Sequence, residues 1–248
     1  MTLQEFFTAH PKAALAFSGG ADSAYLLYAA RHWGCDVHAY YVKTAFQPAF
    51  ELADARRLAA ELNAPLTVLE LPVLDAPEVR ANGPERCYYC KKQIFSAIVR
   101  QAAADGYSLL MDGTNASDSA GDRPGMRALR ELEVCSPLRV CGITKPALRE
   151  ASREAGLFTW NKPAYACLAT RIPTGREITA EALTRTEQAE AALAAMGFSD
   201  FRVRLRGGEA RLQLREAQLS LALEKRTEIL AALTPLYEGV TLDLEVRT

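Results

Sequence analysis

The sequence predicts an α/β fold, a parallel sheet covered by helices on both faces, followed by a smaller α+β C-terminal domain. Three observations carry this. Apolar strand-like runs alternate with helical patterns through roughly the first 155 residues, the order that parallel strands joined by helical crossovers require. A glycine-bearing loop, Ser18-Gly19-Gly20-Ala21-Asp22-Ser23, joins the first strand-like run to the first long helical pattern. After residues 161–175, which hold two prolines and little periodicity, the order changes to helix, strand, strand, helix, strand. The domains are therefore expected at 1–175 and 176–248.

Strands are expected at residues 13–17, 36–42, 66–71 and 108–111, with helices at 22–32, 50–62, 91–104 and 145–155. Ligands of such sheets sit beyond the C-terminal ends of the strands. In the second domain the expected order is helix 179–196, strands 201–205 and 210–214, helix 216–233 and strand 241–246, with antiparallel pairing. Arg206-Gly207-Gly208-Glu209 reads as a hairpin turn between the two strands.

Of the 248 residues 49% are hydrophobic, enough for a core, and 24% are charged. The 29 basic and 30 acidic side chains leave a net charge of −1, which argues against a nucleic-acid partner held by overall charge. No apolar run is long enough for a membrane span and no signal peptide precedes the first strand, so a cytoplasmic protein without a membrane partner is expected. In that compartment the six cysteines are not read as a disulfide framework. Cys35, Cys135 and Cys141 read as small packed side chains.

The loop at 18–23 reads as an anion cradle. Its glycines let backbone N–H groups approach an anion, the helix N-terminus adds positive charge, and Ser18 and Ser23 add hydroxyls. It lacks the Gly-Lys-Ser/Thr ending of a Walker A loop. Asp112-Gly113-Thr114-Asn115-Ala116-Ser117-Asp118 follows the fourth strand. Gly113 and Thr114 there can pass close to a nucleotide, Asp118 or Asp122 can help hold magnesium, and Arg123 can meet phosphate; the plainer reading is a turn with local Asx bonds. Cys87-Tyr88-Tyr89-Cys90 spaces two thiols for one ion, and Cys167 lies in a loop. A redox dithiol, part of a zinc site, ligands of an iron–sulfur cluster and simple packing all remain open for these three. Arg202, Arg204 and Arg206 alternate with Val203 and Leu205, placing three guanidiniums on one strand face, and Arg211 and Arg215 continue the pattern. That face suits an anionic ligand, or is a solvated face balanced by Glu209 and Glu216.

Ser-Gly-Gly-x-Asp-Ser resembles the signature of the PP-loop ATP pyrophosphatases. The resemblance narrows with Glu85-Arg86-Cys87-Tyr88-Tyr89-Cys90-Lys91-Lys92, Asp112-Gly113-Thr114-Asn115-Ala116, Asp122-Arg123-Pro124-Gly125, Lys162-Pro163 through Cys167, Arg171-Ile172-Pro173 and Thr241-Leu242-Asp243-Leu244-Glu245. Together these resemble the LarE sulfur transferases over nearly the whole chain. The resemblance implies a PP-loop (adenine nucleotide alpha hydrolase-like) domain and an ATP-dependent sulfur insertase in the biosynthesis of the nickel-pincer nucleotide, the cofactor of lactate racemase. It would adenylylate the carboxylates of pyridinium-3,5-biscarboxylic acid mononucleotide and replace them with thiocarboxylates.

By the same resemblance Ser18, Gly19, Gly20, Asp22 and Ser23 hold ATP phosphates, and Asp22 also holds Mg²⁺. Lys43, Gly113, Thr114 and Arg123 join the ATP site, although Lys43-Thr44-Ala45-Phe46 departs from the small polar residues common in the family. Arg202 and Arg204 meet substrate or phosphate. Cys87, Cys90 and Cys167 are the sulfur site, holding a [4Fe–4S] cluster whose extra sulfide is renewed by a sulfide donor. The alternatives are Cys167 as a sacrificial sulfur donor, or a tRNA thiolase. A homo-oligomer is expected.

Overall fold

The computed structural model describes residues 1–118 and 124–247. The chain divides into two compact units. Residues 1–73 and 85–162 form the first, and residues 74–84 and 163–248 form the second.

The first unit contains α1 (Leu3–Ala9), β1 (Lys12–Ala16), α2 (Ala21–His32), β2 (Asp36–Lys43), α3 (Ala49–Glu61), β3 (Leu66–Glu70), α4 (Arg86–Ala104), β4 (Leu110–Met111), α5 (Pro124–Glu131) and α6 (Lys145–Glu154). The strands form one parallel sheet in the order β3-β2-β1-β4. Between their charged ends the central strands β1 and β2 are apolar except for His38, because both sheet faces are covered. Alternate residues serve different cores. Ala13, Leu15, Val37, Ala39 and Tyr41 pack with Phe6, Leu27 and Leu58, whereas Ala14, Tyr40 and Val42 pack with Phe95 and Ile98 of α4. This is the expected α/β architecture. The helix α1 was not expected. It has only seven residues, too few for a periodic signal, yet its start is a complete capping box between Thr2 and Glu5.

In the second unit α7 (Ala180–Ala195) is followed by β5 (Arg202–Arg206), β6 (Glu209–Gln213), α8 (Leu219–Glu224), α9 (Arg226–Leu233) and β7 (Val240–Leu242). The turn at Gly207 and Gly208 joins β5 and β6 as an antiparallel hairpin, Gly207 taking φ +62°. The expected antiparallel pairing fails for β7, which runs parallel to β6. The intervening helices form a crossover long enough to bring the chain back in the same direction. The single helix expected at 216–233 is broken at Lys225, with no glycine or proline to mark the break. Segment 74–84 joins this unit because the buried Asn82 donates to the carbonyls of Pro173 and Arg176 at 2.9 and 3.1 Å, and Ile178 N–H bonds to the Arg80 carbonyl at 2.8 Å.

Candidate active site

The chain leaves β1 at Ala16 and enters α2 through Ser18, Gly19 and Gly20. Gly20 caps the helix in extended conformation with no side-chain bond. The first-turn N–H groups of α2 have no carbonyl four residues back, so they and the helix dipole attract an anion. Ser23 turns its hydroxyl back over the loop. It accepts from Ser18 N–H at 3.3 Å, lies 3.0 Å from Ser18 Oγ and donates to the Gly20 carbonyl at 3.2 Å. Gly19 takes φ +71°, and a Cβ there would stand 3.1 Å from the Glu51 carbonyl oxygen. Both conformation and space require glycine.

A second loop, after β4, meets the first. Buried Asp112 accepts from Ser136 Oγ at 2.6 Å and from Thr114 N–H at 3.3 Å, which holds the turn closed. Gly113 passes so near α2 that a Cβ would lie 2.8 Å from Ser23 N. Around these loops is a cavity of about 710 Å³, within the range of small-molecule sites. Ser18, Asp22, Ser23, Asp112, Gly113 and Thr114 supply polar lining, while Ile94, Phe95 and Met126 form an apolar wall. A cradle with one polar and one apolar side suits a nucleotide.

Two lysines that the sequence did not single out stand by these residues, Lys145 through Asp22 and Lys91 in the cavity lining itself. Lys145, at the start of α6, places Nζ 2.6 Å from Asp22 Oδ1. Lys91 of α4 lines the cavity beside Gly125, where a Cβ would stand 3.0 Å from Lys91 Cδ. No local sequence signal pairs position 145 with position 22. Lys43 ends β2 and donates to the Gln47 carbonyl, and Gln47 rather than Lys43 lines the cavity. Asp122 and Arg123 lie outside the described residues.

Helix α4 begins at Arg86, earlier than expected, so Cys87 and Cys90 belong to its first turns, three residues apart and on one face. Cys87 is exposed, lines the cavity and accepts from Arg86 Nη2 at 3.4 Å. Tyr88, between them, donates to Glu131 of α5 at 2.7 Å, and the Arg127 guanidinium lies 4.0 Å from its ring. These contacts fix the start of α4 against α5. Cys35 is 2% exposed, and burial, with the nearby Asp36 carboxylate, pushes its thiol up to about 11. Burial pushes Cys135 and Cys141 up as well. These three stay protonated thiols at neutral pH and are poor sulfur nucleophiles.

In the second unit Cys167 caps the short helical turn Leu168–Arg171, its carbonyl accepting from Thr170 N–H at 3.0 Å. Arg202 and Arg204 lie on one face of β5, half-buried. Burial and the like charges of Arg247, Arg171 and Arg204 hold Arg202 below the usual guanidinium range, and burial with Arg171, Arg247 and Arg211 does the same to Arg204. Guanidiniums under this repulsion form an electropositive site. The outer arginines differ: Arg211 pairs with Asp243 at 2.6 Å and Arg215 with Asp200 at 2.6 Å. The counterions are thus Asp243 and Asp200, not Glu209 and Glu216.

No family model matches the chain. An uncharacterized protein of Synechocystis sp. is 34% identical over 251 residues, covering 98% of this chain and 92% of that protein. Pyridinium-3,5-bisthiocarboxylic acid mononucleotide synthase of Lactiplantibacillus plantarum is 33% identical over 233 residues, covering 93% of this chain and 84% of that enzyme. An uncharacterized protein of Methanocaldococcus jannaschii is 30% identical over 236 residues, covering 95% and 90%.

Proposed function

The chain belongs to the family of pyridinium-3,5-bisthiocarboxylic acid mononucleotide synthases, the LarE-type sulfur transferases, and from that membership we propose that it is an ATP-dependent enzyme exchanging carboxylate oxygen for sulfur on a pyridinium mononucleotide. The observation that carries the ATP half is the cradle in which Gly113 closes on the N-terminus of α2. A carboxylate is a poor electrophile, so it first attacks the α-phosphorus of ATP and expels pyrophosphate. The resulting acyl-adenylate accepts a sulfur nucleophile at its carbonyl carbon, and AMP leaves with the original oxygen. Ser18, Ser23 and the α2 N–H groups hold the phosphates, while Lys145 and Lys91 bring positive charge toward the leaving group. Asp22 offers the hard oxygen that Mg²⁺ takes; the bound ion neutralises phosphate charge. Gln47 faces the nucleotide, and Arg202 and Arg204 take the mononucleotide phosphate.

Cys87, Cys90 and Cys167 are the sulfur site, as ligands of the group that delivers sulfide rather than as the sulfur consumed. Thiols are the donor set that iron–sulfur chemistry uses, and Cys87 and Cys90 share one helix face, which suits a common group. Among the described residues no three cysteine, histidine or acidic side chains are gathered as a metal site, so a [4Fe–4S] cluster on Cys87, Cys90 and Cys167, which would supply a renewable sulfide, rests on the family membership alone. The test is pyrophosphate release dependent on the pyridinium biscarboxylate mononucleotide, with the product weighed for sulfur in place of oxygen. Iron and acid-labile sulfide are measured on the same anaerobic preparation. Release with no carboxylate substrate, or none with it, overturns the reading. An iron-free chain that still makes product and leaves dehydroalanine at Cys167 moves the sulfur source to that cysteine alone.

A further inference from the structure

Among the described residues Arg171 is the largest fully buried side chain, 1% exposed, and every arm of its guanidinium is used. Nε and Nη2 donate to the two carboxylate oxygens of Glu190 at 2.8 and 2.9 Å. Nη1 donates to the carbonyls of Ala166 and Cys167, at 2.5 and 3.2 Å, and to Thr170 Oγ1 at 3.0 Å. Glu190 also accepts from the Tyr165 hydroxyl at 2.6 Å and from Val203 N–H at 3.0 Å. The Thr170 carbonyl accepts from Arg204 Nη1 at 3.0 Å. One ion pair therefore ties the Cys167 loop to α7 and to the strand that carries Arg202 and Arg204.

A pair buried this deeply is weak ground for stability, because desolvating two ions cancels most of their attraction and an apolar pair of equal volume often does as well. What a planar fork supplies is direction. Here it points at two consecutive carbonyls, those before and at Cys167. Building on the sulfur-transfer reading above, we propose that Arg171 and Glu190 are positioning residues that hold the Cys167 peptide in register with the Arg202 and Arg204 anion site, so that a substrate held by its phosphate meets the sulfur carried at Cys167 in one orientation.

The test is Arg171→Lys in the full chain, which keeps the charge and loses the fork. Alkylation by iodoacetamide, mapped by peptide mass after chelation of any iron, should be about fivefold faster at Cys167 as the loop opens, with Cys87 unchanged. The kcat for thiocarboxylate formation should fall about tenfold with KM for ATP unchanged. Cooling, which refolds any unfolded fraction, should not restore it, whereas a merely structural role would return full kcat. Tyr165→Phe removes one hydroxyl from Glu190 and should move labelling and kcat the same way by less. It decides the matter if Arg171→Lys does not fold. Folded variants with wild-type labelling and kcat overturn the proposal. Labelling needs no substrate, so the two readings fail separately. A wild-type chain that makes no thiocarboxylate, but whose Cys167 responds to Arg171→Lys, overturns the sulfur-transfer reading and leaves the clamp supported.

Discussion

Alanine at Gly113 probes the proposed nucleotide cradle more sharply than removal of any charged side chain. Gly113 does not take positive φ, so alanine carries no conformational penalty and the effect is steric. The new Cβ would stand 2.8 Å from Ser23 N, 3.1 Å from Ser23 Cα and 3.2 Å from Asp22 C, all backbone atoms that cannot swing aside. Ordinary contact begins near 3.4 Å, so the β4 loop and the start of α2 must part by about 0.6 Å. Overpacking of this kind costs about 1–3 kcal/mol of stability. A cradle displaced by a large fraction of an ångström loses about 10- to 100-fold in rate. The urea midpoint should fall, and carboxylate-dependent pyrophosphate release should fall by that factor. Gly20→Ala is the control for stability. Its Cβ meets only Ser18 Oγ, at 3.3 Å, a hydroxyl that can rotate away, and the change should stay within about 0.5 kcal/mol. A Gly113→Ala chain with wild-type stability and wild-type ATP affinity would refute the cradle.

Other perturbations separate stability from binding. Ser23→Ala leaves Ser18 N–H without the hydroxyl it donates to and should cost about 1–2 kcal/mol in urea unfolding while weakening ATP binding measured by calorimetry. Arg202→Gln relieves repulsion from Arg247, Arg171 and Arg204. It should raise the melting temperature slightly while weakening phosphate binding about tenfold, and a loss of both would count against an anion site. Hydrogen bonds from Arg211 and Gln213 hold the Asp243 carboxyl below the usual carboxylate range; Asp200, although burial pushes it up, is held low by Arg247 and Arg215. A depressed carboxylate contributes stability that is complete above its unfolded value near about 4 and is lost as pH falls through the lower folded value. The urea midpoint should therefore drop from about pH 5 to about pH 3, and Asp243→Asn should shrink that drop; an equal drop in both chains would remove Asp243 as a cause.

The strand, glycine loop and helix around residues 18–23 were legible because their parts are local. A glycine pair between an apolar run and a helical pattern specifies a strand, a tight turn and an exposed helix N-terminus within a dozen residues, and the structure has each of them. Likewise the alternation of Arg202 and Arg204 with Val203 and Leu205 placed two guanidiniums on one strand face, because side chains on a strand alternate with a period of two. Position 113 needed glycine for a reason no local pattern contains, the approach of a helix that begins more than ninety residues earlier.

What only the tertiary structure decided was the choice of partners. Lys145 meets Asp22 across 123 positions, Asp243 neutralises Arg211, and Glu190 receives Arg171. Segment 74–84 joins the second unit through Asn82, and β7 turns parallel to β6. The periodicities of helix and strand and the chemistry of turns act between near neighbours in the chain, so the sequence by itself determined most of the elements and the glycine loop between β1 and α2. Ion pairs and strand partners depend on which distant groups packing brings within a few ångströms, and that is a property of the folded chain.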